Sequence, residues 1–147
     1  MQHNYENSSI DNLIDEFAKE EISFTDVVKN NKTEIKNLIN ECTQRIVNKN
    51  KIFFIGSGTS GRLGMIESSE IYPTFGDSTF IGLIAGGDIA MTQSIEGSED
   101  SMFEGINQLN NEGISSSDLV IGISTSGNTP YTISALNNCK SNKIQTC

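Results

Sequence analysis

Apolar residues fall into two textures along the chain. Near the start they recur at helical intervals. Ile10, Leu13, Ile14 and Phe17 share one face behind Ser8 and Ser9, residues suited to capping a helix start. This predicts a short amphipathic helix. A longer one is predicted from Val27, Val28, Ile35, Leu38, Ile39, Cys42, Ile46 and Val47, closed by Asn48-Lys49-Asn50. From residue 52 the texture changes. Ile52-Phe53-Phe54-Ile55 is a short continuous apolar run, expected of a strand covered on both faces. Residues 80–85, 119–123 and 144 onward repeat it. Helices are predicted between these runs, over 62–71, 89–95, 102–110 and 130–141, the last with Pro130 in its first turn. Strands alternating with helices predict an α/β fold, a doubly wound parallel sheet with right-handed crossovers. The expected organisation is an N-terminal helical segment over 1–50 and an α/β domain over 51–147. Ile144-Gln145-Thr146-Cys147 reads as a strand barely begun, so the domain is expected to be incomplete at its C-terminus.

Composition narrows the function classes. The chain has 147 residues, enough for one domain with a core, and a net charge of −9. The distribution of charge says more than its total. Between Leu63 and Cys139 there is no Lys or Arg, while the same stretch holds ten carboxylates. A nucleic-acid surface needs a basic face, so that class is excluded. An anion bound here must be held by backbone N–H groups, hydroxyls and helix dipoles, with Arg62 the nearest cation. No apolar stretch has the ~18 residues a membrane span needs, and Met1 to Asn7 lack a signal-peptide pattern. Cys42, Cys139 and Cys147 are odd in number and widely spaced, as expected of reduced thiols in a cytoplasmic protein. With His3 the lone histidine, no metal-ligand spacing is present and no metal is expected.

Two segments could cradle a phosphate. Gly56-Ser57-Gly58-Thr59-Ser60-Gly61 follows a predicted strand and opens a helix. Glycines permit close approach to the backbone, and a helix N-terminus favours an anion. The spacing also matches the G-x-G-x-x-G dinucleotide fingerprint, but the acidic residue that would hold the ribose is misplaced; Asp88, the nearest, comes late. A turn needed only for chain reversal is the plain alternative. Ser124-Thr125-Ser126-Gly127-Asn128-Thr129-Pro130 again lies between strand and helix, with four hydroxyls, more than a cap requires. Two such segments at the carboxyl ends of parallel strands belong on one sheet edge, where open α/β folds bind ligands.

Two carboxylates lie near these segments. Glu70 falls late in the helix that the first segment begins, shortly before Pro73, which is expected to end it. A carboxylate there meets the negative end of the helix dipole, a placement that suits a general acid. Glu99 sits in Glu96-Gly97-Ser98-Glu99-Asp100, a self-repelling carboxylate cluster of the kind that serves acid/base chemistry, or else a solvated turn or cap for the next helix, which is the reading the residues alone favour.

Taken in order, Ile55-Gly-Ser-Gly-Thr-Ser-Gly-Arg-Leu-Gly64, Ser69-Glu70, Pro73-Thr74-Phe75-Gly76, Gly82-Leu-Ile-Ala-Gly-Gly87, Glu96-Gly-Ser-Glu-Asp100, Ser126-Gly127 and Thr129-Pro130-Tyr131 closely resemble the N-acetylmuramic acid 6-phosphate etherase family. That family belongs to the sugar isomerase (SIS) domain superfamily, with the glucokinase regulatory protein as a relative. The resemblance implies a SIS-type fold and a cofactor-independent lyase. Its reaction removes D-lactate from C3 of N-acetylmuramic acid 6-phosphate and leaves N-acetylglucosamine 6-phosphate. It implies Glu70 as the acid/base serving the leaving group and Glu99 as the second catalytic carboxylate. It further implies Ser57, Gly58, Thr59, Ser60, Ser124, Ser126, Gly127 and Thr129 as contacts to the sugar phosphate, and a homodimer. Asn128 stands where many etherases have Arg. A non-catalytic SIS module that binds a sugar phosphate and regulates a partner protein is the alternative reading. A nicotinamide-dependent enzyme is disfavoured by the second, hydroxyl-rich segment.

Overall fold

The computed structural model describes residues 8–147, apart from the side chains of residues 20–23. Two compact units are present, one up to Ile39 and one from Asn40 to Cys147.

The first unit is helical. Helix α1 spans Ile10–Asn30, and the Ser9 hydroxyl caps it by accepting from the Asn12 N–H at 3.2 Å. Helix α2 spans Lys32–Asn48, of which residues 32–39 belong to this unit and residues 40–48 to the second. The expected boundary was elsewhere, with Val27 and Val28 in the second helix; they belong to α1. The break falls at Asn31, whose amide side chain turns back onto the Val27 carbonyl at 2.8 Å. Residues 29–34 carry no apolar side chain, but Val28 and Ile35 are seven residues apart and stay in phase across the break, so periodicity alone did not place the boundary.

The second unit is a parallel sheet of four strands: β1 Ile52–Gly56, β2 Phe80–Ile84, β3 Leu119–Ile123 and β4 Gln145–Thr146, in the order β2-β1-β3-β4. Alternate residues of the strands pack against helices on opposite faces. Helix α3, Gly58–Phe75, covers the face of Phe54 and Gly82. On the other face Phe53, Ile55 and Val120 form a buried core with Leu109 of α4 (Glu104–Asn111) and with Tyr131, Ala135 and Cys139 of α5 (Pro130–Ser141). Helices on both faces make this the expected doubly wound SIS-type α/β fold. The start of β3 is pinned by Asp118, a buried carboxylate that accepts from the Lys51 N–H at 2.8 Å and the Ser115 N–H at 2.7 Å.

Three local expectations change. Helix α3 begins at Gly58, four residues before the predicted start, so most of the glycine-rich segment is the helix's first turn. Pro73 lies within the last turn and does not stop the helix. Its ring faces solvent close to the end, where Gly76 at φ +69° supplies the left-handed cap. Residues 89–95 are not a helix beyond a 3-10 turn at Asp88–Met91. The Arg62 side chain donates to the Ala90 carbonyl at 2.9 Å and the Gln93 carbonyl at 3.1 Å, holding the segment in an irregular path.

Candidate functional site

The carboxyl ends of β1 and β3 set the site. Gly56 and Ile123 are register partners, so Ser57 and Ser124 leave the sheet side by side. The chain passes from β1 outward to β2 and returns across β1 to β3, which makes this pair the topological switch point. Helix α3 begins on one face of the sheet and α5 on the other.

The first segment is shaped by close approach. A Cβ on Gly61 would lie 2.5 Å from the Gly56 carbonyl oxygen and 2.6 Å from Ile84 Cγ1, so only glycine lets α3 sit this close to the strand ends. Gly58 at φ +53° makes the abrupt turn into the helix. The first N–H groups of α3 have no intrahelical acceptor. Ser57, at the N-cap, makes no side-chain cap bond. The hydroxyls of Ser57, Thr59 and Ser60 make no hydrogen bond within the described residues. Six donors of two kinds therefore cluster at one helix start.

The second segment is prefolded by its own hydroxyls. Ser124 Oγ lies 3.0 Å from Thr129 Oγ1 and accepts from the Gly127 N–H at 3.1 Å. Ser126 Oγ accepts from the Asn128 N–H at 3.2 Å. Thr129 is the N-cap of α5 but makes no side-chain cap bond. The Ser126 O–H and one O–H of the Ser124–Thr129 pair remain available as donors, and Ser126, Gly127 and Asn128 are exposed.

Glu99 lies in a 3-10 turn, Ser98–Asp100, against α5. It lines a cleft of about 300 Å³ together with Gly58, Arg62, Glu96 and Ser98. The structure thus joins Glu99 to the start of α3. Glu70 is placed differently. It is exposed on α3, twelve residues past Gly58, which is about 18 Å along the helix axis at 1.5 Å per residue. Glu70 and Glu99 of one chain do not line the same cleft. Arg62, the cation nearest the cleft, spends two of its N–H groups on the Ala90 and Gln93 carbonyls.

One network went unnoticed in the sequence. Glu104 Oε1 accepts from the Gly86 N–H at 2.8 Å and from Gln108 Nε2 at 3.2 Å. Gln108 Nε2 also donates to the Ile84 carbonyl at 3.1 Å, and the Tyr131 hydroxyl donates to Gln108 Oε1. Tyr131 is fully buried. Its hydroxyl is pushed well above the ordinary range by burial and, secondarily, by the Glu104 charge. The network ties the end of β2 to α4 and α5 and so fixes the start of the segment that carries Glu99. The i, i+4 spacing of Glu104 and Gln108 was the only local signal of it. Among the described residues, no group of three or more His, Cys, Asp or Glu is placed to hold a metal ion, and no helix is long and apolar enough to cross a membrane. The three cysteines are unpaired.

Comparison with known proteins is consistent with this architecture. The family model of the glucokinase regulatory protein N-terminal SIS domain matches residues 34–140. Curated relatives named N-acetylmuramic acid 6-phosphate etherase include one from Bacteroides thetaiotaomicron, 39% identical over 94% of this chain and 50% of its own length. Another, from Porphyromonas gingivalis, is 40% identical over 96% of this chain and 52% of its own length. A third, from Mycoplasma mycoides subsp. mycoides, is 42% identical over 87% and 43%. The chain spans about half the length of the curated relatives it matches.

Proposed function

The chain belongs to the glucokinase regulatory protein N-terminal SIS domain family, and from that membership we propose that it carries an etherase-type lyase site for N-acetylmuramic acid 6-phosphate. The observation that carries this reading is the joint lining of one cleft by Glu99 and by Gly58 and Arg62 of the first turns of α3, with the hydroxyl segment of the register-paired strand β3 leaving the sheet beside α3. The curated relatives named as etherases support it. A sugar phosphate fits a site rich in N–H and O–H donors and poor in cations.

The chemistry follows from the open-chain aldehyde, whose C2 proton is acidic and whose C3 bears the lactyl ether. Glu99 takes the C2 proton. The C–H electron pair becomes the C2–C3 double bond as the C3–O bond breaks, and Glu70 protonates the departing lactate oxygen. Water then adds, its hydroxyl to C3 and a proton to C2, giving N-acetylglucosamine 6-phosphate and D-lactate. Proton transfers by positioned carboxylates contribute about 10²–10⁴-fold each. Ser57, Thr59 and Ser60, with Ser124, Ser126 and Thr129, hold the phosphate and the sugar hydroxyls. Because Glu70 lies far along α3 from Gly58, it acts in the cleft of a second copy, so the working unit is a homodimer.

A second reading, a sugar-phosphate sensor that regulates a partner protein, draws on the regulatory protein for which the matching family model is named and on the separation of the two carboxylates. Incubation with N-acetylmuramic acid 6-phosphate, following D-lactate, distinguishes them. The lyase reading predicts release that is lost in Glu99→Ala and in Glu70→Ala. Release that survives both substitutions sinks the catalytic assignment. Saturable sugar-phosphate binding without release supports the sensor, and tight binding of a nicotinamide dinucleotide overturns both.

A further inference from the structure

Among the described residues that line the cleft of Glu99, Arg62 is the one cation. A guanidinium carries five N–H groups. Two of those on Arg62 donate to the Ala90 and Gln93 carbonyls, at 2.9 and 3.1 Å, which leaves three. The two carbonyls fix the direction of the planar fork but do not neutralise it. Among the described residues Arg62 makes no ion pair, although Glu96 and Glu99 line the same cleft. The cleft therefore sets a preoriented cation with free donors among carboxylates. It repels any anionic group that the fork does not hold.

We propose that Arg62 selects the lactyl sugar by pairing with its carboxylate, an inference that rests on the lyase reading above. The substrate of that reading carries two anions, a phosphate on C6 and a carboxylate on the lactyl group at C3. The sugar phosphate left after elimination keeps only the first. Donors for the phosphate are plentiful, in the hydroxyls of Ser57, Thr59 and Ser60 and in the segment from Ser124 to Thr129. The carboxylate has no such provision, since the chain from Leu63 to Cys139 holds no Lys or Arg. Glu99 acts at C2, the carbon next to the one that bears the lactyl ether. A substrate placed for that proton transfer brings its carboxylate into the cleft that Arg62 and Glu99 share. There the planar fork can meet both carboxylate oxygens through parallel N–H···O bonds. Without it the carboxylate would face Glu96 and Glu99 alone. Arg62 thereby makes the cleft hold the substrate more tightly than the sugar it releases.

Calorimetric binding of two ligands to the full chain tests this, in a Glu99→Gln parent that does not turn substrate over. One ligand is N-acetylmuramic acid 6-phosphate. The other is its lactyl carboxamide, similar in shape and without the charge. The expected preference for the acid over the amide is about tenfold in the parent, the worth of a charge-assisted pair. It should fall to about threefold when Arg62→Lys is added, which keeps the charge without the fork, and to one or below with Arg62→Gln. Both ligands meet the same protein in each ratio, so any loosening of residues 89–95 cancels. A ratio near one in the parent, or the same ratio in all three chains, overturns the proposal. If the Arg62→Gln chain does not fold, the parent and Arg62→Lys ratios decide in the same way. N-acetylglucosamine 6-phosphate separates this inference from the reading beneath it. A parent that binds that sugar but shows no preference for the acid contradicts the role of Arg62 alone. A parent that binds no sugar phosphate contradicts the lyase site, and the proposal with it.

Discussion

Ser60 offers a hydroxyl with no partner inside the described chain, at the start of α3, in a site where the one nearby guanidinium is already committed to the backbone. Replacing it by alanine removes a donor that no cation compensates. Ser60→Ala should weaken N-acetylglucosamine 6-phosphate binding about fivefold in calorimetry, the equivalent of ~1 kcal/mol. An unchanged affinity would place the phosphate elsewhere. Tyr131 has the opposite character, since its hydroxyl is buried and fully used. Tyr131→Phe leaves Gln108 Oε1 without that donor and should cost about 1–3 kcal/mol in urea unfolding. Equal stability would mean that a water or a rotated amide replaces the bond. The serines stand out in the sequence because hydroxyls crowd between glycines there. The role of Tyr131 does not, because Gln108 stands 23 residues away and only the fold brings them together.

At the scale of elements, strand β3 and helix α5 were readable to the residue. Each is declared locally, one by an uninterrupted apolar run and the other by Pro130. Residues 89–95 were misread for a physical reason: their carbonyls are captured by Arg62 from α3, a contact invisible to periodicity. The approach of α3 to the strand ends depends on Gly61. Gly61→Ala forces a Cβ into backbone and should destabilise by about 1–3 kcal/mol while also loosening ligand binding, measured by thermal unfolding with and without sugar phosphate. Retained stability would show that α3 can shift outward freely. Helix α5 also brings an alkaline limit. Burial raises both the Cys139 thiol and the Tyr131 hydroxyl, so the fold holds both neutral. In the unfolded chain a cysteine releases its proton near pH 8.5 and a tyrosine near pH 10. Their stabilisation is whole below those values and is lost as pH rises through them, by up to ~1.4 kcal/mol per pH unit for each group. Urea midpoints should fall above pH ~8.5, and Tyr131→Phe should lack the part of the fall that begins near pH 10. A flat profile would contradict the burial argument.

At the scale of the whole molecule, the etherase resemblance named two carboxylates, and the fold sets only one of them in the cleft beside the start of α3. Sequence order could not reveal that separation, since it depends on the direction in which α3 runs from Gly58. A site completed between two copies reconciles the carboxylates with the geometry. It predicts that Glu70→Ala and Glu99→Ala chains, each silent alone, complement one another. In a mixed dimer one cleft keeps both carboxylates. The most direct measurement is D-lactate release from N-acetylmuramic acid 6-phosphate by an equal mixture of the two variants after subunit exchange. About a quarter of the wild-type rate is predicted, since half the dimers are mixed and each holds one intact cleft. A mixture as silent as its parts, beside an active wild type, would contradict the shared site, and a wild type that releases no lactate would contradict the lyase itself.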